Sequence, residues 1–523
     1  MSEDKKIPYG SLSETISSWR PFVDEANKFL DKTQEHALQG LNPGGYYHAI
    51  WTRDASFILR DWFLSGNVHG ALQQLYIIWS HQIDPLRKEK EKIVYGRGSP
   101  EMNFKPVTAT DKIIDESFAG SLPTTIYQAG YLEIYGENPD IDSTALMVST
   151  TSWILSHVLD QIEQKNKDAN GSRDPLTGSA TTGALFTDKK QDQQQGHVAF
   201  HSSNLSQSTM RSISNDPLRM IRWIIPHLVK AIDYLERRDK DKDGLLEQNH
   251  NEDWMDTGLR AGKIVYSQAC WILALKNLSM LLTKSENYGE NAKDEGRDKN
   301  YYQKQASRMT DLIDKTISGV EKILWSEDDG CYIDIQETHH IGGPYRTLTQ
   351  DVSLYSVAIT ENTGNDNLRA GKKAEKQQQP QKIHITHKTL HDRSIKSLSN
   401  LKSRCWKYDW PMDTEVLLKR TGPWVLKPHQ YHNQTFWPWI TGVEMLARSR
   451  FDQVEECKLI LSTLASEGRP HTRAFFEWVN PITRKGDGAY PFRTGISGIR
   501  IALTDILENI EAKSNEDLLQ TQD

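Results

Sequence analysis

Apolar residues recur at helical spacing through most of the chain. The clearest stripe alternates steps of three and four residues, which places its members on one helix face: Leu218, Ile221, Ile225, Leu228, Ile232 and Leu235. Asp216 and Pro217 precede the stripe and suit the cap and the first turn of a helix. Pro226 lies inside the stripe and is expected to kink or interrupt that helix, because proline has no amide hydrogen.

The same periodicity predicts further helices at 122–135, 146–162, 264–282, 436–448, 454–464 and 494–510. Alternating strand patterns are few, although residues 330–335 favour a short β-hairpin between helices. Helical patterns of one kind continue on both sides of every polar stretch. We therefore predict a single all-α domain of stacked helix pairs over residues 1–523.

Three polar stretches interrupt the helical pattern, at about 165–212, 286–300 and 365–399. The first is rich in Gln, Ser, Thr and Gly, and the other two combine charged and polar residues with little periodicity. Such compositions bury too little apolar surface to order a chain by themselves. We predict long surface insertions that are at least partly disordered.

Charge and cysteine content narrow the class of protein. The net charge is −7, so there is no overall basic field to attract nucleic acid or an anionic membrane. No stretch approaches the roughly 20 apolar residues that span a bilayer. The four cysteines are scattered, which argues against a disulfide framework or a zinc site. No apolar run follows the N-terminal charges, so we expect a cytoplasmic protein.

Tryptophan is unusually frequent, with 15 Trp beside 13 Phe. A large core would use this excess, because tryptophan buries much apolar area. A sugar site would use it too, because flat rings stack on the apolar faces of pyranose rings. Composition alone leaves both interpretations open.

Two segments combine charge with tryptophan in the first half of the chain. Trp51-Thr52-Arg53-Asp54 stands where a helical pattern begins, so its charges form either a helix cap with an ion pair or a grip on sugar hydroxyls. Trp254-Met255-Asp256 places a carboxyl between bulky apolar groups, where lost solvation raises its pKa. Asp256 is thus a candidate proton donor, unless it only caps the helix that follows.

The segment between 239 and 250 begins like a calcium loop, with Asp239, Asp241 and Asp243 followed by Gly244. His250 stands at the twelfth position, where a calcium loop needs a bidentate glutamate. We favour a tight acidic turn between helices and predict no bound metal.

Two later segments repeat the mixture of polar and aromatic groups. His432-Asn433 comes shortly before Trp437-Pro438-Trp439, a pattern that core packing alone explains poorly. Glu477 follows Phe475 and Phe476 and precedes Trp478, so its burial is costly unless it is paired or used in catalysis. Arg473 and Arg493 are candidate partners for it.

Asp256 and Glu477 are therefore two carboxyl groups in apolar settings. Such a pair is the minimal apparatus for glycoside hydrolysis, in which one acid protonates the leaving oxygen and one base activates water. Their separation along the chain is no obstacle, because a ring of helices brings distant loops to one opening.

These segments, in this order, make the chain similar to six-hairpin glycosidases. The resemblance is to the amylo-α-1,6-glucosidase domain of glycogen-debranching enzymes and to the related mannosylglycerate hydrolases and neutral invertases. Trp51 to Asp54 resembles their Trp-x-Arg-Asp motif, and Tyr431-His432-Asn433 through Trp439 resembles Tyr-His-Asn-Gly-x-x-Trp-Pro. Gln434 stands where that motif has glycine.

The resemblance implies an all-α (α/α)6 toroid with long polar loop insertions and an inverting hydrolase without a cofactor. It assigns the general acid to Asp256 and the general base to Glu477, about 6.5–9.5 Å apart as inversion requires. The residues expected to hold a small-molecule or oligosaccharide substrate are Trp51, Arg53, Asp54, Trp254, His432, Trp437 and Arg493.

The expected substrate is an α-glucoside, with the α-1,6 branch of a glucan as the leading choice. Hydrolysis of a small α-glycoside such as mannosylglycerate, glucosylglycerate or sucrose is the first alternative. A sugar epimerase that works through histidines such as His432, or a carbohydrate-binding toroid without activity, is the second.

Overall fold

A computed structural model describes residues 14–85, 92–95, 116–127, 131–171, 216–258, 260–288, 298–332, 335–337, 345–361, 386–418, 426–466 and 472–520. Over these residues the chain forms twelve α-helices. They are α1 (Arg20–Ala37), α2 (Thr52–Leu64), α3 (Val68–Ser80), α4 (Ile141–Gly171), α5 (Pro217–Glu236), α6 (Val265–Ser285), α7 (Lys299–Gly319), α8 (Ser353–Thr360), α9 (His387–Cys405), α10 (Pro438–Ser449), α11 (Val454–Ala465) and α12 (Arg493–Gln520).

The even-numbered helices form a closed inner ring. α2 packs on α4, α4 on α6, α6 on α8, α8 on α10, α10 on α12, and α12 returns to α2. Each odd-numbered helix packs outside this ring on an inner neighbour: α1 on α12, α3 on α2, α5 on α4, α7 on α6, α9 on α8 and α11 on α10. The predicted all-α (α/α)6 toroid is therefore confirmed.

Burial along the helices explains which of them lie inside. Helix α6 buries 17 of its 21 residues, so it is covered on all sides. Helix α1 buries only six of its 18 residues, all on one stripe. A helix that is apolar or small all round belongs in the interior, whereas an amphipathic helix covers a surface.

Several helix predictions are confirmed, and α4 and α12 extend well beyond their predicted ends. The stripe from Leu218 to Leu235 lies in α5, whose cap is the Asp216 side chain accepting from the Arg219 amide. The helices predicted at 146–162, 264–282, 436–448, 454–464 and 494–510 correspond to α4, α6, α10, α11 and α12. Helix α5 continues through Pro226, so the proline does not interrupt it.

The helix predicted over 122–135 is wrong. Its residues form β3 (Thr125–Ile126) and β4 (Tyr131–Ile134), which join β1 (Ile50–Trp51) and β2 (Lys92–Tyr95) in one sheet. The strand order is β1-β3-β4-β2, with β2 and β4 parallel and the other pairs antiparallel. The β-branched residues Thr124, Thr125 and Ile126 favour strand, and pairing with β1 outweighs the helical spacing.

The remaining strands form two-stranded antiparallel sheets between helices. They are β5 (Trp325–Ser326) with β6 (Cys331–Tyr332), β7 (Ile335–Glu337) with β8 (Tyr345–Thr347), β9 (Trp406–Lys407) with β10 (Trp410–Pro411), and β11 (Trp478–Val479) with β12 (Gly486–Asp487). The hairpin predicted at 330–335 is present but shifted, because Gly330 closes the turn between β5 and β6 with a φ of 62°.

The predicted insertions are only partly described. The first predicted insertion begins inside α4, which continues to Gly171, and the third ends inside α9, which begins at His387. Residues 165–171 and 387–399 are therefore helical where loops were expected. The apolar pattern did not predict α9, because the polar residues Ser394 and Ser397 lie on its buried face. The structure does not describe residues 172–215, 289–297 and 362–385.

Two further observations concern the described residues. No helix among them is both long enough and apolar enough to cross a membrane. Cys270, Cys331, Cys405 and Cys457 are all buried and carry free thiols.

Candidate active site

A cavity of about 710 Å³ opens where the inner helices begin. Its lining comes from the first turns of α2, α10 and α12 and from the segments that precede α2, α4, α6, α10 and α12. Aromatic rings make up much of its described wall: Tyr46, Tyr47, Trp51, Phe57, Tyr127, Tyr135, Trp254, Tyr431, Trp437, Trp439, Trp478 and Phe492. Five segments far apart in sequence therefore meet in one aromatic pocket.

Asp256 lines this cavity on the segment between α5 and α6. Its Oδ1 is buried and accepts no hydrogen bond within the described part of the chain, while the side chain as a whole keeps 19% of its exposure. Burial, with added repulsion from Glu477 and Asp253, raises the pKa of Asp256 to about 7, against the attraction of Arg53. Asp256 is thus a carboxyl group that holds a proton near neutral pH and remains reachable from the cavity.

Glu477 lines the same cavity, directly before β11. Its Oε1 accepts from the Tyr47 hydroxyl at 2.8 Å, and its Oε2 accepts from the Tyr46 hydroxyl at 3.1 Å and from the Ala489 amide at 2.7 Å. Burial raises the pKa of Glu477 to about 7, although these three donors favour the ionised form. The hydrogen bonds fix the position of both oxygens.

Arg53 and Asp54 begin helix α2 as the sequence predicts, and both line the cavity. The Arg53 guanidinium lies 3.4 Å from Asp142 Oδ2 and 3.7 Å from Asp54 Oδ2. The Thr494 hydroxyl donates to Asp54 Oδ1 at 2.7 Å and so connects the start of α12 with the start of α2. Arg53 and Asp54 form an ion pair and also line the cavity. The ion-pair interpretation is therefore compatible with contacts between these residues and sugar hydroxyls.

Trp254 and Trp437 also line the cavity and touch each other edge to face, with ring centroids 5.4 Å apart. His432 stacks on Trp437 at 4.5 Å and shares a hydrogen bond of 3.0 Å with the Thr257 hydroxyl. Its Nδ1 lies 3.6 Å from Asp256 Oδ1. Burial and the charges of Arg260 and Arg53 hold the pKa of His432 well below its usual value, so the ring is neutral.

Arg260 supports the segment that carries Asp256. Its Nε lies 2.7 Å from Asp253 Oδ2, and its Nη1 donates to Asp351 Oδ2 at 2.8 Å. Asp351 Oδ2 also accepts from the Trp254 indole at 2.6 Å. All three charged groups are buried, so this network fixes Trp254 and the backbone around Asp256.

Two predicted substrate-binding residues lie outside the described lining of the cavity. His432 is fully buried behind Trp254 and Trp437, where it contacts lining residues. Arg493 begins α12, and its Nη1 donates to the backbone oxygen and to the side chain of Asn42. The expected partners of Glu477 are also corrected, because its hydrogen bonds come from two tyrosines and an amide rather than from Arg473 or Arg493.

The structure brings further residues to the cavity that the sequence did not single out. Tyr127, Glu133 and Tyr135 reach it from the segment that was wrongly predicted as a helix. The alternation of Glu133 and Tyr135 around one strand end is the signal that a strand interpretation would have used. Gln434 adopts a φ of 61°, the left-handed conformation for which the resembling motif has glycine.

The acidic turn at 239–243 is neutralised by lysines. Lys263 contacts Asp241 at 2.6 Å and Asp243 at 2.5 Å, and Lys315 contacts Asp239 at 2.9 Å. The three carboxylates lie close enough to share a cation, but these contacts suit the tight turn that the sequence favoured.

Comparisons with known proteins find similarity in structure but not in sequence. No protein-family model matches the chain, and no curated protein matches it. The glucoamylase from Saccharomycopsis fibuligera superposes with a TM-score of 0.52 at 11% identity, over 97% of this chain and 98% of that one. A GH63 mannosylglycerate hydrolase from Thermus thermophilus gives 0.46 at 13% identity, over 92% and 98%. A rhamnosidase from Klebsiella oxytoca gives 0.47 at 10% identity, over 95% and 65%.

The glucoamylase superposition identifies the fold. Its coverage of nearly the whole of both chains agrees with the closed ring of six inner and six outer helices described above. The chain therefore has the six-hairpin (α/α)6 toroid fold found in glycosidases.

Proposed function

We propose that this protein is an inverting glycoside hydrolase that cleaves an α-glucosidic linkage, with Asp256 as general acid and Glu477 as general base. One observation carries the proposal. The buried carboxyl group of Glu477 and the partly buried one of Asp256, each with its pKa raised to about 7, line a single aromatic cavity and repel each other electrostatically. Acid and base chemistry on one glycosidic bond requires such a pair.

Asp256 has the properties of the acid. A general acid must keep its proton at the working pH and release it to the leaving oxygen. The raised pKa of Asp256, its unbonded Oδ1 and the neutral His432 beside it meet the first condition. Its residual exposure toward the cavity meets the second.

Glu477 has the properties of the base. Its carboxylate is held by Tyr46, Tyr47 and the Ala489 amide, which stabilise the charged form. A fixed carboxylate orients a water molecule for in-line attack with little loss of entropy at the moment of reaction. Donation by the tyrosines also leaves the remaining lone pairs of the two oxygens for that water.

We infer an α-glucoside as substrate, with amylo-α-1,6-glucosidase activity as the specific form. Trp51, Trp437 and Trp439 offer flat apolar surfaces, while Arg53 and Asp54 offer hydrogen bonds to hydroxyl groups. This mixture of stacking surfaces and convergent polar groups suits a pyranose ring. The choice of the α-1,6 linkage rests on the sequence resemblance.

An epimerase acting through His432 is the less favoured candidate. His432 has no exposed surface, and its neutral ring hydrogen-bonds to Thr257. A proton-shuttling histidine must reach the substrate, whereas His432 is fully buried against Trp254 and Trp437 and is outside the described lining of the cavity.

An activity panel tests the proposal. Purified protein would be incubated with α-1,4- and α-1,6-glucosides, sucrose and α-mannosides, and released sugars would be followed by NMR. We expect glucose release from at least one α-glucoside, with the α-1,6 compounds cleaved fastest. Failure of every glycoside to be hydrolysed, with oligosaccharide binding intact, would instead identify a carbohydrate-binding toroid.

A further inference from the structure

Carboxyl groups outnumber arginine and lysine in the described lining of the cavity. The five carboxyl residues are Asp54, Glu133, Asp256, Glu477 and Asp487. Arg53 is the one arginine or lysine of that lining, and it is already held between Asp142 and Asp54. An anionic substrate would therefore find several negative charges and no unengaged guanidinium or ammonium group among these residues.

The N-termini of α2 and α4 do not reverse this balance. Helix N-termini ordinarily attract anions, because their amides are unpaired and their dipoles are positive there. The first turn of α2 contains Asp54, and the first turn of α4 contains Asp142. Backbone amides hydrogen-bond to both carboxyl groups and lower the pKa of each against the effect of burial. The protein's own carboxyl groups thus occupy these two positive ends.

Two carboxyl groups of this lining have no role in the chemistry proposed above, the exposed Asp487 and the buried Glu133. Glu133 lies on β4 and is 4% exposed. Its Oε2 accepts from the Thr125 hydroxyl and the Tyr127 hydroxyl, each at 2.8 Å. Its Oε1 accepts no hydrogen bond from a described residue and keeps some exposed surface. One oxygen is therefore anchored while the other is open to the cavity.

The segment that carries Glu133 packs against the segment that carries Asp256, because the backbone and side-chain amides of Asn138 donate to Glu252 Oε1 at 3.2 Å and 2.6 Å. Tyr135, two residues after Glu133, has its pKa raised by burial and then by the negative charges of Asp256 and Glu133. The Tyr135 hydroxyl therefore lies close enough to Asp256 and Glu133 for both charges to raise its pKa. A general acid protonates the leaving oxygen, so residues around it surround the leaving group rather than the sugar that is attacked.

We propose that the cavity selects glycosides whose leaving group is uncharged, and that Glu133 is the specificity-determining residue for this choice. This inference rests on the proposed hydrolase function. The open Oε1 accepts a hydroxyl hydrogen of a neutral leaving group. The same oxygen repels a carboxylate at that position, because like charges interact strongly where water is partly excluded. Neutral α-glucosides are then substrates, and glycerate-linked glycosides are disfavoured.

Matched substrate pairs test the inference. The first pair is α-glucosylglycerol and α-glucosylglycerate, and the second is isomaltose and its aldonate, in which the reducing end is oxidised to a carboxylate. Each pair differs by one negative charge at the leaving group. We expect kcat/KM to be at least about 10-fold higher for the neutral member, and the ratio to shrink as salt screens the charge.

The variant Glu133→Gln keeps the shape of the side chain and removes its charge. We expect it to reduce the ratio of neutral to anionic kcat/KM at least threefold, a quantity that does not depend on the fraction of folded enzyme. Glu137→Gln is the control, since Glu137 lies four residues away and outside the described lining, where it contacts Asn249. It should leave the ratio unchanged.

The outcomes separate this inference from the function on which it rests. Equal or better hydrolysis of the anionic members by the wild-type protein overturns neutral selection while leaving hydrolysis intact. A neutral preference that Glu133→Gln does not reduce, or that Glu137→Gln reduces equally, overturns the role of Glu133. Hydrolysis of no member of either pair, nor of any other glycoside, rejects the hydrolase function itself.

Discussion

Asp256 and Glu477 owe their raised pKa values to the same cause, burial, but their other contacts differ. Asp256 has an unbonded oxygen and negative neighbours, which favour the protonated form. Glu477 receives three hydrogen bonds, which favour the ionised form. Environment thus divides two similar groups into an acid and a base.

Replacing either carboxyl group with its amide should abolish most of the activity. We expect Asp256→Asn and Glu477→Gln each to lower kcat by at least about 100-fold, the low end for loss of a general acid or base. Steady-state kinetics on the best α-glucoside would measure the effect, with circular dichroism to verify the fold. Glu137→Gln should retain kcat, and wild-type activity in either amide variant would remove that residue from the mechanism.

The pH dependence of activity follows from the same groups. Glu477 must be ionised and Asp256 protonated, so kcat/KM should fall on both sides of a maximum near pH 7, with pKa values of about 7 for both groups. Tyr47→Phe removes a donor that stabilises ionised Glu477. The pKa of Glu477 should then rise, and the acidic limb of the profile should move to higher pH.

A full pH–rate profile of Tyr47→Phe against the wild type checks the sign of this shift. The basic limb, which reports Asp256, should move less than the acidic limb. An acidic limb that stays in place or moves to lower pH would contradict the assignment of Glu477 as the base.

At the scale of elements, the β11–β12 hairpin positions Glu477. Gly488 has a φ of 77°, and a Cβ added there would lie 2.4 Å from Glu477 Oε2. Gly488→Ala should therefore displace the carboxylate as well as strain the turn. We expect at least a tenfold loss of kcat, because small displacements of a catalytic group are costly.

Gly66→Ala is the matched control for that variant. Gly66 also has a positive φ, 85°, but its added Cβ would meet no atom within 4 Å. Both variants carry a similar backbone strain of about 1 kcal/mol, measurable as a lower free energy of unfolding. Only Gly488→Ala should lose activity, and equal kinetic effects would show that strain, rather than contact with Glu477, is responsible.

Elements also show what the sequence can reveal. The amphipathic stripe of α5 and its Asp216 cap are local features, so spacing alone located them. The sheet of β1 to β4 depends on pairing between Ile50 and Ile126, which are distant in sequence. Local periodicity carries no information about such a partner, and the helix predicted at 122–135 failed for that reason.

At the scale of the whole molecule, the ring closes where the last helix meets the first inner one. Arg500 of α12 contacts both carboxylate oxygens of Asp61 in α2 at 3.0 Å, and its Nη1 donates to the Leu30 carbonyl in α1 at 2.6 Å. Both charged groups are buried. This contact joins the two ends of the helical ring.

Arg500→Met should open that junction. It leaves Asp61 buried without its partner, which typically costs about 3–5 kcal/mol. Denaturant unfolding would measure the loss. Lys284→Met is the control, because Lys284 pairs with Asp160 at 2.6 Å on the surface, where a pair contributes roughly 0–1 kcal/mol. Equal losses in the two variants would contradict the closure role of Arg500.

The site at this scale was predictable in its residue types but not in its geometry. Motif resemblance pointed to Asp256, Glu477, Trp51 and Trp437, and these do line one cavity. It could not tell that Arg493 would turn to Asn42 or that His432 would lie behind the wall. Those outcomes depend on how the five segments that line the cavity pack together, which a single sequence does not record.

The stereochemistry of hydrolysis tests the central claim most directly. Proton NMR would follow the first minutes of wild-type hydrolysis of the best α-glucoside, before the released sugar mutarotates. An acid at Asp256 and a base at Glu477 acting through water predict β-glucose as the first product. Initial release of α-glucose would contradict the account, because retention requires one of the carboxylates to attack the sugar itself.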